Sequence, residues 1–506
     1  MLNFFTGRQT KMCDRIHRRD FLRIGTLGLG GLTLADVMRS RALGQETPSV
    51  VRDKAVVLLF LAGGPSQIET FDPKPGGLEG STSIAGHVPT RLPGVRFASY
   101  FPRLAQLADR LTVVRSFQTN HAEHNGAHKQ FLTADLTVQD GKPIREPGLG
   151  AVCTRVMGAV NQTTGLPRHA LIPPTTRYAG MRAGFAGAYD SVVEGCQPAW
   201  LGAAYSPFQL QVPMAAGEAT VRNNRNNRNR NNRNEDVNPF LDSLQLHTSR
   251  PQMNERLDLL RQFDQLDQSL DNNGAMDGAD HYRQQAVDLL LSGDVRRALD
   301  LNQEDPRVLA RYDTEHFRNW NCDDNSHFIR NGPSIGISLG RQLLMARRLC
   351  EAGCGFVTAI HANWDFHARR GIPNMPEGMG VLAPPVDHAV SAFLEDVEQR
   401  GLSDKILLII TGEFGRTPRL DDNLGRHHWP RICPLVFAGG GLRHGQVIGQ
   451  SDRRGGEPAG DAITIDDFHA TIMHTLFDVA QMRLDVSMPR QIIDRATRGR
   501  PIHQLF

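Results

Sequence analysis

The sequence predicts an α/β protein with a mostly parallel central sheet covered by helices on both faces. Two observations carry this. Short β-rich apolar runs alternate with longer amphipathic segments, which is the strand, loop, helix unit of a parallel sheet. Polar and ionisable residues also cluster just after the apolar runs, where the carboxyl ends of parallel strands line a ligand crevice.

In chain order, AVVLLFL predicts a strand from Ala55 to Leu61, and further apolar runs predict strands from Leu111 to Val114, Ala170 to Ile172, Gly355 to Ile360, Lys405 to Ile410 and Pro434 to Ala438. Helical periodicity predicts helices from Phe101 to Arg110, Ser334 to Ala352, Pro385 to Gly401 and Ile465 to Phe477. Amphipathic segments from Asn254 to Leu270 and His281 to Asp300 suggest a helical insertion spanning residues 250–330. Between Val221 and Asn234 the chain reads VRNNRNNRNRNNRN. Such a segment buries too little surface to offset its ordering entropy, so it is expected to be a disordered Asn/Arg-rich loop.

The N-terminus, His17-Arg18-Arg19-Asp20-Phe21-Leu22-Arg23 followed by a glycine-studded apolar run from Ile24 to Ala35, resembles a twin-arginine export signal. The expected organisation is a signal over residues 1–44 and one α/β domain over residues 50–506. The twin-arginine export machinery is then a partner, and the mature protein is periplasmic or otherwise extracytoplasmic. The apolar run is closed by Asp36, Arg39 and Arg41, and no later stretch is long enough for a membrane helix, so no stable span is expected in the mature chain.

A chain of 506 residues with 40% hydrophobic content can bury a large core. Its formal net charge of +3 reflects near balance, and no aromatics interleave the arginine-rich insert, so no nucleic-acid partner is inferred. Seven cysteines lack paired metal-type spacing, and apart from Cys13 in the signal they read as buried free thiols, although Cys350 and Cys354 could neighbour each other on a helix.

Five polar clusters follow or precede the runs. After the first come Glu69 and Asp72, either of which could fold back over the strand end. After the second come Ser116, Thr119, His121, His124 and His128, the last two spaced to share a helical face. The third is His361-Ala362-Asn363-Trp364-Asp365-Phe366-His367, where strand alternation would send Asp365 and His367 to one side to ligate a divalent ion. The fourth is Glu413-Phe414-Gly415-Arg416, whose acid and arginine could equally be an ion pair. The fifth is Gly425-Arg426-His427-His428-Trp429-Pro430, where adjacent histidines diverge and at most one ligates.

Taken together, GGPSQIETFDPKP, VRSF with its following histidines, ARRLCEAG, WDFH, GEFGRTP, GRHHWP, FAGGGLRHGQVIG and DDFHATIMHTLF resemble the bacterial family called domain of unknown function fifteen-oh-one. The resemblance covers nearly the whole chain and implies an alkaline-phosphatase-like sandwich, the superfamily of sulfatases and phosphopentomutases. It implies that Asp365 and His367 form a metal-binding pair, that Glu413-Phe414 stands where relatives carry Asp-His, that His428 is the late histidine, and that Ser116, or else Thr119, is the nucleophile. The chain departs from that pattern: Phe414 cannot ligate, the first strand ends in Ala-Gly-Gly without an acid, Glu69 and His427 replace aspartates, and no sulfatase formylglycine sequence is present.

The resulting expectation is an exported metal-dependent hydrolase of phosphate or sulfate esters, acting on a small-molecule or polysaccharide ester. Asp365, His367, Glu413, His428 and Asp72 are the candidate metal ligands, with Ser116, His124 and Arg416 as catalytic candidates. The ion would be zinc or manganese, with calcium as an alternative. The competing expectation is a non-catalytic exported binding protein on the same scaffold with a degraded metal site. Replacing Arg18 and Arg19 together with lysine is expected to leave precursor in the cytoplasm, as read by cell fractionation. Unchanged export would rule the signal out.

Overall fold

All seven residues of Ala55–Leu61 (β1) are buried, which requires cover on both faces of the sheet. The computed structural model describes residues 49–78, 80–174, 190–210, 293–319, 327–369 and 372–506, and residues 51–506 form one compact unit. The expected export signal, the loop at 221–234 and most of the helical insertion lie outside the described residues.

The other strands are His87–Pro89 (β2), Arg96–Ala98 (β3), Leu111–Val114 (β4), His169–Ile172 (β5), Phe208–Gln209 (β6), Phe356–His361 (β7), Ile406–Thr411 (β8), Gly415–Arg416 (β9), His428–Trp429 (β10), Leu435–Gly439 (β11) and Gln446–Ile448 (β12). Eight of them form one sheet in the order β12-β4-β11-β8-β1-β7-β5-β6. Neighbours pair in parallel except β11, which runs antiparallel to both β8 and β4. That reversal matters for the site. The carboxyl ends of β1, β4, β7 and β8 share one edge, and the segment entering β11 reaches the same edge from the opposite direction.

Helices His124–Thr133 (α1), Leu149–Met157 (α2), His327–Glu351 (α3), Met375–Gln399 (α4), Ile465–Leu476 (α5) and Arg490–Thr497 (α6) cover the sheet. Alternation along β1 divides them between the faces. Ala55, Val57, Leu59 and Leu61 join a core with Leu339 and Leu343 of α3 and Leu382 and Val386 of α4. Phe60 points the other way and packs its ring against His128 (5.5 Å) and Phe131 (5.4 Å) of α1. Phe131 in turn meets Phe468 of α5 at 5.0 Å between ring centres.

Three expected helices differ in extent from the sequence expectation, and the one expected from Phe101 to Arg110 is a short helix, Pro102–Gln106, followed by a separate 3₁₀ turn, Ala108–Arg110. Pro385 does not open its helix: α4 starts at an Asn374–Glu377 capping box and runs through Pro384 and Pro385. Proline suits a first helical turn, so the pair reads locally as a start, but packing of the long helix against α3 overrides that preference. Helix α3 likewise begins at His327, seven residues before the expected Ser334. The five cysteines among the described residues are buried and free. No helix among the described residues is long and apolar enough to cross a membrane.

Helix α5 starts at a reciprocal cap, in which the Asp467 N–H donates to Thr464 Oγ1 (3.3 Å) and the Thr464 N–H to Asp467 Oδ2 (2.9 Å). Thr464→Ala is expected to lower unfolding free energy by about 1 kcal/mol, read as a lower urea midpoint at unchanged slope.

Candidate metal centre

Three strand exits and one helix start build the site. Strand β1 ends in Ala62-Gly63-Gly64, with positive φ at both glycines (118° and 80°). A Cβ at Gly63 would lie 2.6 Å from the Trp364 nitrogen, and one at Gly64 would lie 2.4 Å from the Phe414 ring. Only glycine lets the exits of β1, β7 and β8 approach this closely. Beyond β7 the chain leaves the sheet through Asn363 in the left-handed region (φ 73°). Asp365 and His367 therefore sit on a loop and not on a continuing strand; they still meet, with His367 Nε2 2.9 Å from Asp365 Oδ2. The loop is anchored from beneath by Trp364, whose indole N–H donates to Nδ1 of buried His361 (2.9 Å). Burial lowers the His361 pKa to about 3, so that ring stays neutral and accepts the bond.

Glu413 follows β8 and is completely buried. The Gly63 N–H donates to both of its oxygens (2.9 and 3.2 Å). Its Oε1 also lies 2.7 Å from His124 Nδ1 and 3.1 Å from His128 Nε2. Burial works to raise the Glu413 pKa, but His128 and His124 outweigh it and hold the carboxyl well below the usual carboxylate range. The Asp365 carboxyl is also depressed: burial opposes ionisation, and the Arg416 guanidinium, His124, His367 and His428 overcome it.

His428 reaches the cluster through the β9–β10 ladder, where it pairs with Arg416. Its Nδ1 lies 2.7 Å from the Ala122 carbonyl oxygen and its Nε2 lies 3.2 Å from Asp365 Oδ1. A carbonyl only accepts, so Nδ1 carries the proton and the neutral ring turns a bare Nε2 toward a carboxylate oxygen. Burial lowers the His428 pKa, with Arg416 and His124 adding to the effect against Asp365, which favours that neutral form. His124 stands between the two carboxylates. Its Nδ1 donates to Glu413, and its buried Nε2 stands 3.5 Å from Asp365 Oδ1 without a hydrogen-bond partner. Burial disfavours its charged form, yet Asp365 and Glu413 outweigh burial and raise its pKa to about 9.

Ligand atoms of His124, Asp365 and His428 lie within 4.8 Å of one another, and so do those of His124, His128 and Glu413. The first trio is partly open to solvent, whereas His128 and Glu413 are sealed. Residue types and distances fit a borderline divalent ion such as zinc or manganese. His367 grips the other oxygen of Asp365, the arrangement that orients a ligating carboxylate.

Three candidate residues have other partners. Asp72 is taken by Lys74 (3.1 Å), Arg115 (3.3 Å) and the Ser451 hydroxyl, so cations already satisfy the oxygens a metal would need. Ser116 is buried against Gly449, and its carbonyl accepts from the Ile463 N–H (2.9 Å). Among the described residues, no serine or threonine hydroxyl hydrogen-bonds to the His124, Asp365 and His428 trio. Arg416 is fully buried and spends its donors inside the protein: on Asp365 Oδ1 (2.6 Å) and the carbonyls of Gly64 (2.7 Å), Arg426 (3.0 Å), Trp364 (3.3 Å) and Gly63. Its guanidinium is sealed from solvent, away from any substrate oxygen. Glu69, which could have replaced the missing first-strand acid, forms a buried ion pair with Arg426 (2.8 Å).

Sequence reasoning puts His128 on one helical face with His124, a spacing that metal binding or anion recognition could use, but does not include it among the candidate ligands. Beside Glu413, where Phe414 offers no ligand, these two helix histidines supply the nitrogens. The Phe414 ring instead packs on His124 (5.0 Å) and His428 (4.7 Å). Arg416→Met is expected to destabilise the fold by roughly 3–5 kcal/mol in chemical denaturation, since it strands Asp365 and several carbonyls in the interior.

The fold resembles several solved structures. Among them are the sulfatase PsFucS1 from Pseudoalteromonas sp. (11% identity over 87% of this chain and 70% of that one, TM-score 0.36) and the phosphonate monoester hydrolase SpPMH from Silicibacter pomeroyi (10% over 89% and 76%, TM-score 0.37). The alkaline phosphatase from the Antarctic bacterium TAB5 is another (8% over 79% and 95%, TM-score 0.30). A search of curated proteins finds no match. Residues 53–505 match the family described as Protein of unknown function (DUF1501), and the chain belongs to that family.

Proposed function

We propose that this protein is an exported hydrolase of phosphate or sulfate esters that works with a divalent ion held by His124, Asp365 and His428. The observation that carries the metal is geometric: ligand atoms of His124, Asp365 and His428 lie within 4.8 Å of one another, with His124 Nε2 and His428 Nε2 both turned toward Asp365 Oδ1. The two carboxylates favour positive charge at His124, and a divalent ion can take the place of the proton they hold there. Three protein ligands with solvent access leave a coordination position open, as catalytic sites do.

When bound, such an ion polarises an ester oxygen and makes a water more acidic. The residues around it supply positioning. Ala122 and Glu413 fix the His428 and His124 rings by holding their Nδ1 protons, and His367 and Arg416 fix the Asp365 carboxylate. With Ser116 and Arg416 engaged elsewhere, water is the nucleophile in this reading. The ester class rests on the resemblance noted from the sequence, and export rests on the paired arginines.

One observation favours the alternative of a non-catalytic exported binding protein: of the expected catalytic side chains, Ser116 is buried against Gly449 and Arg416 is committed to internal hydrogen bonds. Elemental analysis of protein purified without chelator, followed by a panel of phosphate and sulfate esters, separates the two. His428→Ala is expected to weaken metal binding by more than about 100-fold and abolish hydrolysis, and His367→Ala to cost about 10–100-fold in both. Stoichiometric metal with no turnover on any ester would support the binding protein, and absence of metal would defeat both.

A further inference from the structure

We propose that the protein holds a second, inner cation, bound by His128 Nε2, Glu413 and Nδ1 of His124, so that the His124 ring is shared between two ions. The shared ring makes this proposal depend on the outer site above.

The first argument is charge. Glu413 is fully buried, and among the described residues no lysine or arginine pairs with it; the groups that face it are the two histidines and the Gly63 N–H. Asp365 is treated differently, having Arg416 at 2.6 Å. A buried carboxylate without a fixed positive partner costs several kcal/mol, and a divalent ion removes that cost.

The second argument is geometric. His128 is completely buried, and its Nε2 has no hydrogen-bond partner even though Glu413 Oε1 is 3.1 Å away. The ring N–H direction is poorly aligned with that oxygen for a hydrogen bond. A cation needs no such alignment: ligand atoms about 2 Å from a common ion stand roughly 3 Å apart, which suits the 3.1 and 2.7 Å separations here.

The third argument is the supporting shell. Ser191 Oγ lies 2.8 Å from His128 Nδ1 and is placed to accept its proton, leaving Nε2 bare toward Glu413. The Gly63 N–H steadies both carboxylate oxygens, and the rings of Phe60 and Phe414 wall the site beside His128 and His124. Outer partners of this kind orient ligands and tune their basicity. Occupying both sites displaces both ring protons of His124, which pass to solvent.

The sealed inner site implies a slowly exchanging structural ion that ties α1 to the β8 exit and orients the His124 ring for the open outer site. Zinc-reconstituted protein is expected to contain two ions per chain by elemental analysis, one released quickly by chelator and one slowly. His128→Leu and His428→Ala should each retain one, and Ser191→Ala should weaken the slow ion by about 10–100-fold. In wild-type protein loaded with Cu²⁺, the shared ring should couple the two ions and diminish the paramagnetic resonance signal, a readout that needs no variant to fold. A single ion in wild type, lost in His428→Ala and kept in His128→Leu, would overturn the inner site and leave the outer one standing. An uncoupled signal from two-copper protein would overturn the shared ring, and absence of any ion would overturn both sites.

Discussion

The carboxyl edge of the sheet is organised by one buried guanidinium. Arg416 bonds to the carbonyls of Gly63 and Gly64 after β1, to Trp364 and Asp365 after β7, and to the Arg426 carbonyl ahead of β10. Each loop leaves its strand with polar backbone groups that must find partners in the interior. A planar group with donors on several sides can satisfy them together. His428 depends on the same residue twice, through its ladder pairing with Arg416 and through the Asp365 oxygen they both approach. The arginine that sequence chemistry offers to a substrate is used by the fold to assemble the ligands.

Two carboxylates of the site, Asp365 and Glu413, show how the same residue class is put to different ends. Asp365 has a permanent cation beside it, so its charge is tolerated and its remaining contacts can orient histidines. Glu413 has only imidazoles and one backbone N–H. Its charge is tied to the state of those rings, which makes the inner half of the cluster a place where a proton or a metal ion must supply what a lysine or arginine does elsewhere. A third acid, Glu69, is neutralised by Arg426, whose guanidinium also caps the carbonyls of Thr82 (2.9 Å), Thr417 (3.2 Å) and Pro418. That pair fastens the loop after β1 to the loop carrying His428, at a distance in sequence of 357 residues.

Phe414 and Gly64 form a matched substitution in physical terms. The phenylalanine occupies space that any side chain at position 64 would need, and its face closes the site beneath His124 and His428. Phe414 thus offers no nitrogen to the cluster but gives it an apolar floor, which lowers the local dielectric and strengthens the charge interactions above it.

The sequence by itself determined the sheet strands and the edge at which chemistry collects, because burial on both faces writes a local apolar pattern and strand exits write a local polar one. It placed β1 and β4 at their observed residues and brought Asp365, His367, Glu413 and His428 to attention as strand-end groups. It did not reveal that Ser116 turns into the interior, that Asp72 is held by Lys74 and Arg115, or that His128 closes on Glu413 from a helix. Those outcomes depend on which cation stands beside which carboxylate across hundreds of residues, and pairings of that kind leave no period or spacing in the chain. The helix start at Asn374 in place of Pro385 has the same origin: local propensity proposes a boundary, and packing against a distant helix decides it.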